Sequence, residues 1–219
     1  MSKERILWGV KVSPYVRKVQ VALHEKQLLY TQEEILPTAM LKATGQEIPV
    51  DFSKASPLGK IPALQDDGFQ IADSSVICAY LEKQYPDTVS LYPSDPQQLA
   101  RALWFDHYGD DTLTSIAYQK IFFEVFAKPN VLQLPADEAI VEKARNEELP
   151  PLLDYLSEQI KGQQWLLGDQ YSIADISIAT HFIGLKLSDY IVDSKRWPDL
   201  SEYLQRVFAR KAWQEVLEG

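Results

Sequence analysis

Three short segments combine residue types that could do chemistry. In Ser13-Pro14-Tyr15-Val16-Arg17-Lys18, a serine and a proline follow an apolar run, the pattern of a helix N-cap and first helical position. Read as punctuation, Ser13 only caps the helix. Read as a site, its hydroxyl lies at a positive helix end and donates a hydrogen bond to a bound anion. In Ser56-Pro57-Leu58-Gly59-Lys60-Ile61-Pro62-Ala63-Leu64, the second proline cannot supply a ladder donor, so this strand lies at a sheet edge or begins at Pro62. Ile61 is β-branched and precedes proline, which holds it extended. If the Ile61–Pro62 bond is cis, the N–H and C=O of Ile61 could turn outward and pair with an added peptide strand; otherwise this is a plain edge strand. In Asp73-Ser74-Ser75, a strand hands over to a helix. Either Ser74 or Asp73 caps that helix, or its N–H groups and the Ser74 hydroxyl bind a carboxylate while Asp73 accepts from an amine. An amine and a carboxylate on one carbon describe the α-amino-acid end of a peptide.

The surrounding pattern shows what must position these segments. Residues 6–10 read as a buried strand, 14–27 as a helix with Val16, Val19 and Leu23 on one face, and 28–36 as a second strand. Residues 37–57 lack periodicity and read as an irregular, mobile connection with one helical turn near Met40. Two short strands, 61–64 and 69–72, flank Gln65-Asp66-Asp67-Gly68, a hairpin signal, and a helix follows over 74–83. Tyr85-Pro86, Tyr92-Pro93 and Asp95-Pro96 then punctuate a stretch that neither helix nor strand crosses comfortably. The expected domains are 1–85, a linker over 86–96, and an all-helical part over 97–219. Helices are expected at 97–127, at 137–160 with a kink or break at Pro150-Pro151, at 173–190 and at 200–218. Ser172 and Asp175 fit a capping box with Tyr171 and Ile176 as its staple, so Asp175 reads as structural.

Composition narrows the function classes. A chain of 219 residues, 46% of them hydrophobic, can bury a sizeable core without disulfides or metals. The single cysteine, Cys78, excludes an internal disulfide, and its place on an apolar helix face reads as a small buried hydrophobe rather than a nucleophile. His24, His107 and His181 have no ligand spacing, so no metal site is expected. The net charge of −9 argues against nucleic acid and anionic membranes as partners. Acidic and basic residues balance over residues 1–85, so the net charge lies beyond them, and the neutral first part is better suited to hold a small anion. With no apolar run of membrane-spanning length and no signal-peptide pattern, the cytoplasm is the expected compartment.

Together these segments, in this order, resemble the cytosolic glutathione transferase superfamily of the serine type, bacterial or tau-like. The Ser-Pro-Tyr-Val-Arg-Lys start, Gly-Lys-Ile-Pro-Ala-Leu, the Asp73-Ser74 pair and the Ser-Ile-Ala-Asp cap carry the likeness over almost the whole chain. The resemblance implies an α/β thioredoxin-like β-α-β-β-β-α domain followed by an all-α helical bundle. It implies that Ser13 donates to the glutathione sulfur and favours thiolate over thiol. Ile61 would pair its backbone with the cysteinyl unit beside the presumed cis Pro62. Asp73 and Ser74 would hold the γ-glutamyl amine and carboxylate. Lys60 would hold the glycyl carboxylate, unless Lys42 or Lys54 replaces it. Tyr15 would wall the electrophile pocket, and Tyr108 would reach it from a helix whose other aromatics, Trp104, Phe105, Phe122, Phe123 and Phe126, are mostly core.

The implied function is conjugation of the glutathione thiolate to a small hydrophobic electrophile held between the domains. That is a detoxification chemistry with glutathione as co-substrate, carried out by a homodimer. Isomerisation or peroxide reduction with glutathione on the same site, and a non-catalytic binding protein of this fold, remain as alternatives. Serine in place of a cysteine disfavours thiol–disulfide and dehydroascorbate chemistry, because Ser13 cannot form a mixed disulfide.

Overall fold

β1 (Arg5–Trp8) opens a four-stranded sheet in the computed structural model, which describes residues 4–218. α1 (Pro14–Glu25) follows, starting at the Ser-Pro pair and packing Val16, Val19 and Leu23 inward. β2 (Thr31–Glu33) then pairs parallel to β1, and β3 (Ala63–Asp66) and β4 (Phe69–Ala72) add an antiparallel hairpin, giving the order β2-β1-β3-β4. The hairpin turns at Asp67 and Gly68, both with positive φ, as a two-residue primed turn requires. α4 (Ser74–Gln84) closes this part, and the chain divides into two compact units between Ser90 and Leu91.

Several elements differ from the pattern reading. Of the two readings of Pro62, the strand start holds and the edge does not: β3 is central, and its ladder begins at Ala63, so Pro62 stands just outside and costs no hydrogen bond. β2 is three residues long where residues 28–36 were expected to be strand. The helical turn expected near Met40 is α2 (Thr38–Ala43), and residues 37–57, otherwise expected to be irregular, hold a second helix, α3 (Val50–Ala55). Pro37 and Pro49 stand at their N-caps, and fully buried Phe52 packs with Trp8, Ala55 and Ala63. One anchoring phenylalanine thus does what helical periodicity would otherwise have signalled.

The second unit is helical. α5 (Pro96–His107) leads into a π-helical stretch, Tyr108–Ala127, in which the turns widen until Lys128 N–H bonds the Phe123 carbonyl five residues back. The Thr114 hydroxyl caps the Gly109 carbonyl within it, at 3.0 Å. Gly109 is required there, since a Cβ would stand 2.8 Å from Ser177 Oγ on the neighbouring helix. α6 (Lys128–Leu132), α7 (Glu138–Lys143) and α8 (Leu149–Ile160) follow, the last two joined by a π-helical turn, Ala144–Glu148. Pro150 and Pro151 lie in the first turn of α8, directly after that π-helical turn, so the regular α-helix is interrupted just before the proline pair.

α9 (Ile173–Leu187) is almost wholly buried. The expected last helix is instead two, α10 (Pro198–Phe208) and α11 (Lys211–Glu218). The Ser172–Asp175 capping box is present at the start of α9. No helix among the described residues is long and apolar enough to cross a membrane.

Candidate functional site

The sheet register places the three candidate segments together. Trp8, Ala63 and Ala72 form one row across β1, β3 and β4: Trp8 pairs with Ala63, and Ala63 with Ala72. Trp8 ends β1, Ala63 begins β3 and Ala72 ends β4, so the Ser13 loop, Ile61-Pro62 and Asp73-Ser74 all leave the sheet at the same end. The Asp73 N–H reaches the Pro62 carbonyl at 3.4 Å. Gly9 brings the first two segments into close contact, since a Cβ there would meet Val16 Cγ2 at 2.4 Å and Ile61 Cβ at 3.2 Å. Its φ of +140° is also one that side chains disfavour.

Ser13 is the N-cap of α1 and is buried, at 5% exposure. Its Oγ accepts from the Val16 N–H at 3.5 Å, a long contact that uses a lone pair and leaves the hydroxyl proton to donate. Capping and substrate activation are therefore compatible in one serine. The Ile61–Pro62 bond is cis, and Ile61 stays out of the sheet ladder that begins two residues later. Asp73 adopts φ +84° and is exposed, while Ser74 is buried behind it. Of the two capping assignments open from sequence, the structure selects Asp73, whose Oδ1 accepts from the N–H groups of Ser75 at 3.0 Å and Val76 at 3.2 Å. A non-glycine residue held at positive φ at a helix start is strained, and such strain collects at functional sites.

Two residues of the first segment were given no role from sequence. Lys18, fully buried on α1, donates from Nζ to Ser75 Oγ at 2.7 Å and ties α1 to the start of α4. Arg17, also buried, donates to the carbonyls of Lys11 and Val12, and burial lowers its guanidinium to about 10. Both looked like ordinary charged residues on a helix, because pattern alone shows a charge and not what it faces.

The three lysine candidates are all exposed and differ in their surroundings. Lys54 pairs with Asp51 at 3.0 Å on the same helix. Lys42 sits in the last turn of α2, and Lys60 has its carbonyl fixed by Ser56 Oγ at 2.6 Å. Tyr15 is half-buried in the first turn of α1.

In the second unit, Tyr108 is buried with its ring 5.1 Å from that of Tyr155, and its hydroxyl has no hydrogen-bond partner among the described residues. Burial pushes it up to about 12, so it stays protonated and able to donate. Of the other aromatics on that stretch, Phe105 and Phe122 are core, whereas Trp104 is exposed with its indole N–H on the Tyr155 hydroxyl. Cys78 is buried. Among the described residues no group of three or more His, Cys, Asp or Glu is arranged to hold a metal ion.

Comparison with known proteins identifies the family. The N-terminal domain of glutathione S-transferase matches residues 7–89, and its C-terminal domain matches residues 138–206. A glutathione S-transferase of Hyoscyamus muticus is 28% identical, with 97% of each chain covered. Glutathione S-transferase F13 of Arabidopsis thaliana is 26% identical over 97% of this chain and 94% of its own. The crystal structure of a glutathione S-transferase from Rhodospirillum rubrum superposes with a TM-score of 0.86 at 26% identity, over 98% of this chain and 92% of that one. Matched by this family in both parts and by its members along nearly the whole length, the chain belongs to the glutathione S-transferase family and is a glutathione transferase.

Proposed function

We propose that this transferase is of the serine type, with Ser13 as the group that activates glutathione for attack on a small hydrophobic electrophile. The observation that carries the reading is the state of the Ser13 hydroxyl. It accepts one long bond, keeps its proton, and stands at the same sheet end as the Ile61–Pro62 and Asp73–Ser74 segments. When the thiol of bound glutathione loses its proton to solvent, the Ser13 O–H donates to the sulfur and stabilises the thiolate without itself ionising. The thiolate then forms the new carbon–sulfur bond, and the electrophile's leaving group departs with the electron pair.

In this reading the Ile61 backbone pairs with the cysteinyl unit of glutathione, next to Pro62. The γ-glutamyl carboxylate takes the hydroxyl and backbone N–H of Ser74, since Asp73 already holds the N–H groups of Ser75 and Val76, and the amine takes a remaining lone pair of the Asp73 carboxylate. Lys60 is the preferred partner of the glycyl carboxylate, with Lys42 next, because Lys54 already has Asp51. Tyr15 and Tyr108 are the proposed contacts of the electrophile. Family likeness supports a homodimer, a cytoplasmic location and a role in detoxification.

The test is the ultraviolet absorbance of bound glutathione thiolate against pH, for the wild type and for Ser13→Ala. The expected result is ionisation near neutral pH in the wild type, lost in the variant, with turnover falling about 10²–10³-fold and affinity changing little. Equal ionisation in both proteins would remove Ser13 from the mechanism. Separately, Ser74→Ala should weaken glutathione binding by about 1–3 kcal/mol in a calorimetric titration. An unchanged affinity would move the γ-glutamyl end elsewhere.

A further inference from the structure

We propose that Arg17 is a positioning residue, whose guanidinium clamps the peptide group carrying Ser13 and so sets the aim of the Ser13 hydroxyl. The proposal rests on the reading of Ser13 given above. Residues 9–12 connect β1 to α1, and each of their four carbonyls has a fixed donor. Gln32 Nε2 donates to Gly9 at 2.5 Å, the Ser13 N–H to Val10 at 3.0 Å, and the Arg17 guanidinium to Lys11 at 3.1 Å and Val12 at 3.3 Å. The Val12–Ser13 peptide group is thereby held at both ends, its C=O by Arg17 and its N–H by Val10. The Ser13 carbonyl is held separately by the ordinary helical bond from the Arg17 N–H at 3.0 Å, so the peptide groups on both sides of the serine are fixed.

This clamp has work to do because the cap bond alone is weak. At 3.5 Å the contact between Ser13 Oγ and the Val16 N–H lies at the limit of a hydrogen bond and cannot by itself orient the hydroxyl. Arg17 is 3% exposed and, with its guanidinium lowered only to about 10, stays cationic at neutral pH. Charge-assisted donors to carbonyls are about twice as strong as neutral ones. A displacement of about 1 Å in a catalytic group is enough to cost about 10²-fold in rate.

The experiment uses the full chain, with an aryl chloride activated by two nitro groups as electrophile. It compares wild type, Arg17→Met, Arg17→Lys, Ser13→Ala and the Ser13→Ala/Arg17→Met double variant. For each, the pH at which bound glutathione ionises, kcat, KM for glutathione and the thermal midpoint are measured. Arg17→Met should raise the ionisation pH by about one unit and lower kcat about tenfold, with KM for glutathione changed less than about twofold. Arg17→Lys, a cationic donor on a flexible stem, should recover part of the loss. The double variant should ionise glutathione at the same pH as Ser13→Ala alone, because Arg17 acts through the serine.

An Arg17→Met protein that melts earlier but ionises glutathione normally overturns the proposal and leaves the Ser13 reading intact. An additive shift in the double variant also overturns it, by showing that the Arg17 charge acts on the sulfur directly. If Ser13→Ala itself ionises glutathione normally, the Ser13 reading falls and this proposal falls with it. Should Arg17→Met fail to fold, Arg17→Gln keeps most of the stem and carries the same expectation for ionisation.

Discussion

Two helices of this protein start with a capping serine, and the two serines differ in how fully their hydrogen bonds are used. At α9, Ser172 accepts from the Ala174 N–H at 3.2 Å and lies 3.4 Å from Asp175 Oδ2. Asp175 in turn takes the N–H groups of Ser172 and Leu166 and the hydroxyl of Tyr203. Everything there is buried and partnered, so the hydroxyl and the carboxylate are both consumed in holding the helix start. At α1, Ser13 has one long bond and follows a loop whose carbonyls are held by other residues. The same residue type at the same N-cap position is structural where its hydrogen-bonding capacity is exhausted. It is available for chemistry where neighbours do the holding.

The comparison is broken or sharpened most severely at Asp175. Asp175→Ala strands two buried backbone N–H groups and the Tyr203 hydroxyl, and should lower unfolding stability by about 3–5 kcal/mol in urea. A loss below about 1 kcal/mol would mean the box is not the anchor described. Burial pushes the Asp175 carboxyl up to about 6, against the hydrogen bonds that pull it down. A raised folded value means that the folded state binds the proton more tightly than the unfolded state. The corresponding stability is complete below the ordinary carboxylate value and is lost as pH rises to about 6, by up to about 3 kcal/mol. Unfolding measured between pH 3.5 and 7 should show this fall in wild type and not in Asp175→Asn; equal slopes would deny it.

Ser172→Ala should cost about 1–2 kcal/mol of stability and leave the ionisation of bound glutathione unchanged. Ser13→Ala should reverse that pattern, costing under about 1 kcal/mol because its cap bond is so long. Finding equal stability losses would erase the distinction between the two caps. At the small end, Lys54→Ala removes an exposed pair with Asp51 and should change stability by less than about 0.5 kcal/mol. Glutathione affinity should be unaffected by it, whereas Lys60→Ala should weaken binding several-fold in the same titration. The reverse ranking would hand the glycyl carboxylate to Lys54.

The two caps also show how far a sequence can be read. Both serines, the box partner Asp175 and the Asp67-Gly68 turn were legible because caps and tight turns are local, set by a few adjacent backbone groups. Of the two helices in residues 37–57, α2 was legible as the turn expected near Met40, whereas α3 was not, because a six-residue helix has too few positions for a period to show and is held by burial of Phe52. The π-helical stretch, in which Gly109 closely approaches Ser177, 68 positions on in the chain, was equally hidden from pattern. At the candidate site, Ser13, Ile61, Pro62, Asp73 and Ser74 were marked by residue type and order. Arg17 and Lys18 were missed, because their importance lies in the carbonyls and the hydroxyl they reach.

By itself the sequence determined most of the helices and strands, where many of them start, and the family likeness carried by its short motifs. These follow from φ/ψ preferences, side-chain period and capping, all of which act over a few residues. Only the tertiary structure decided that Trp8, Ala63 and Ala72 share one row, bringing three distant segments to one end of the sheet. It also decided which of two capping serines keeps a proton to give. Register and hydrogen-bond saturation are set by contacts between residues far apart in the chain, and no local pattern encodes how those contacts are shared out.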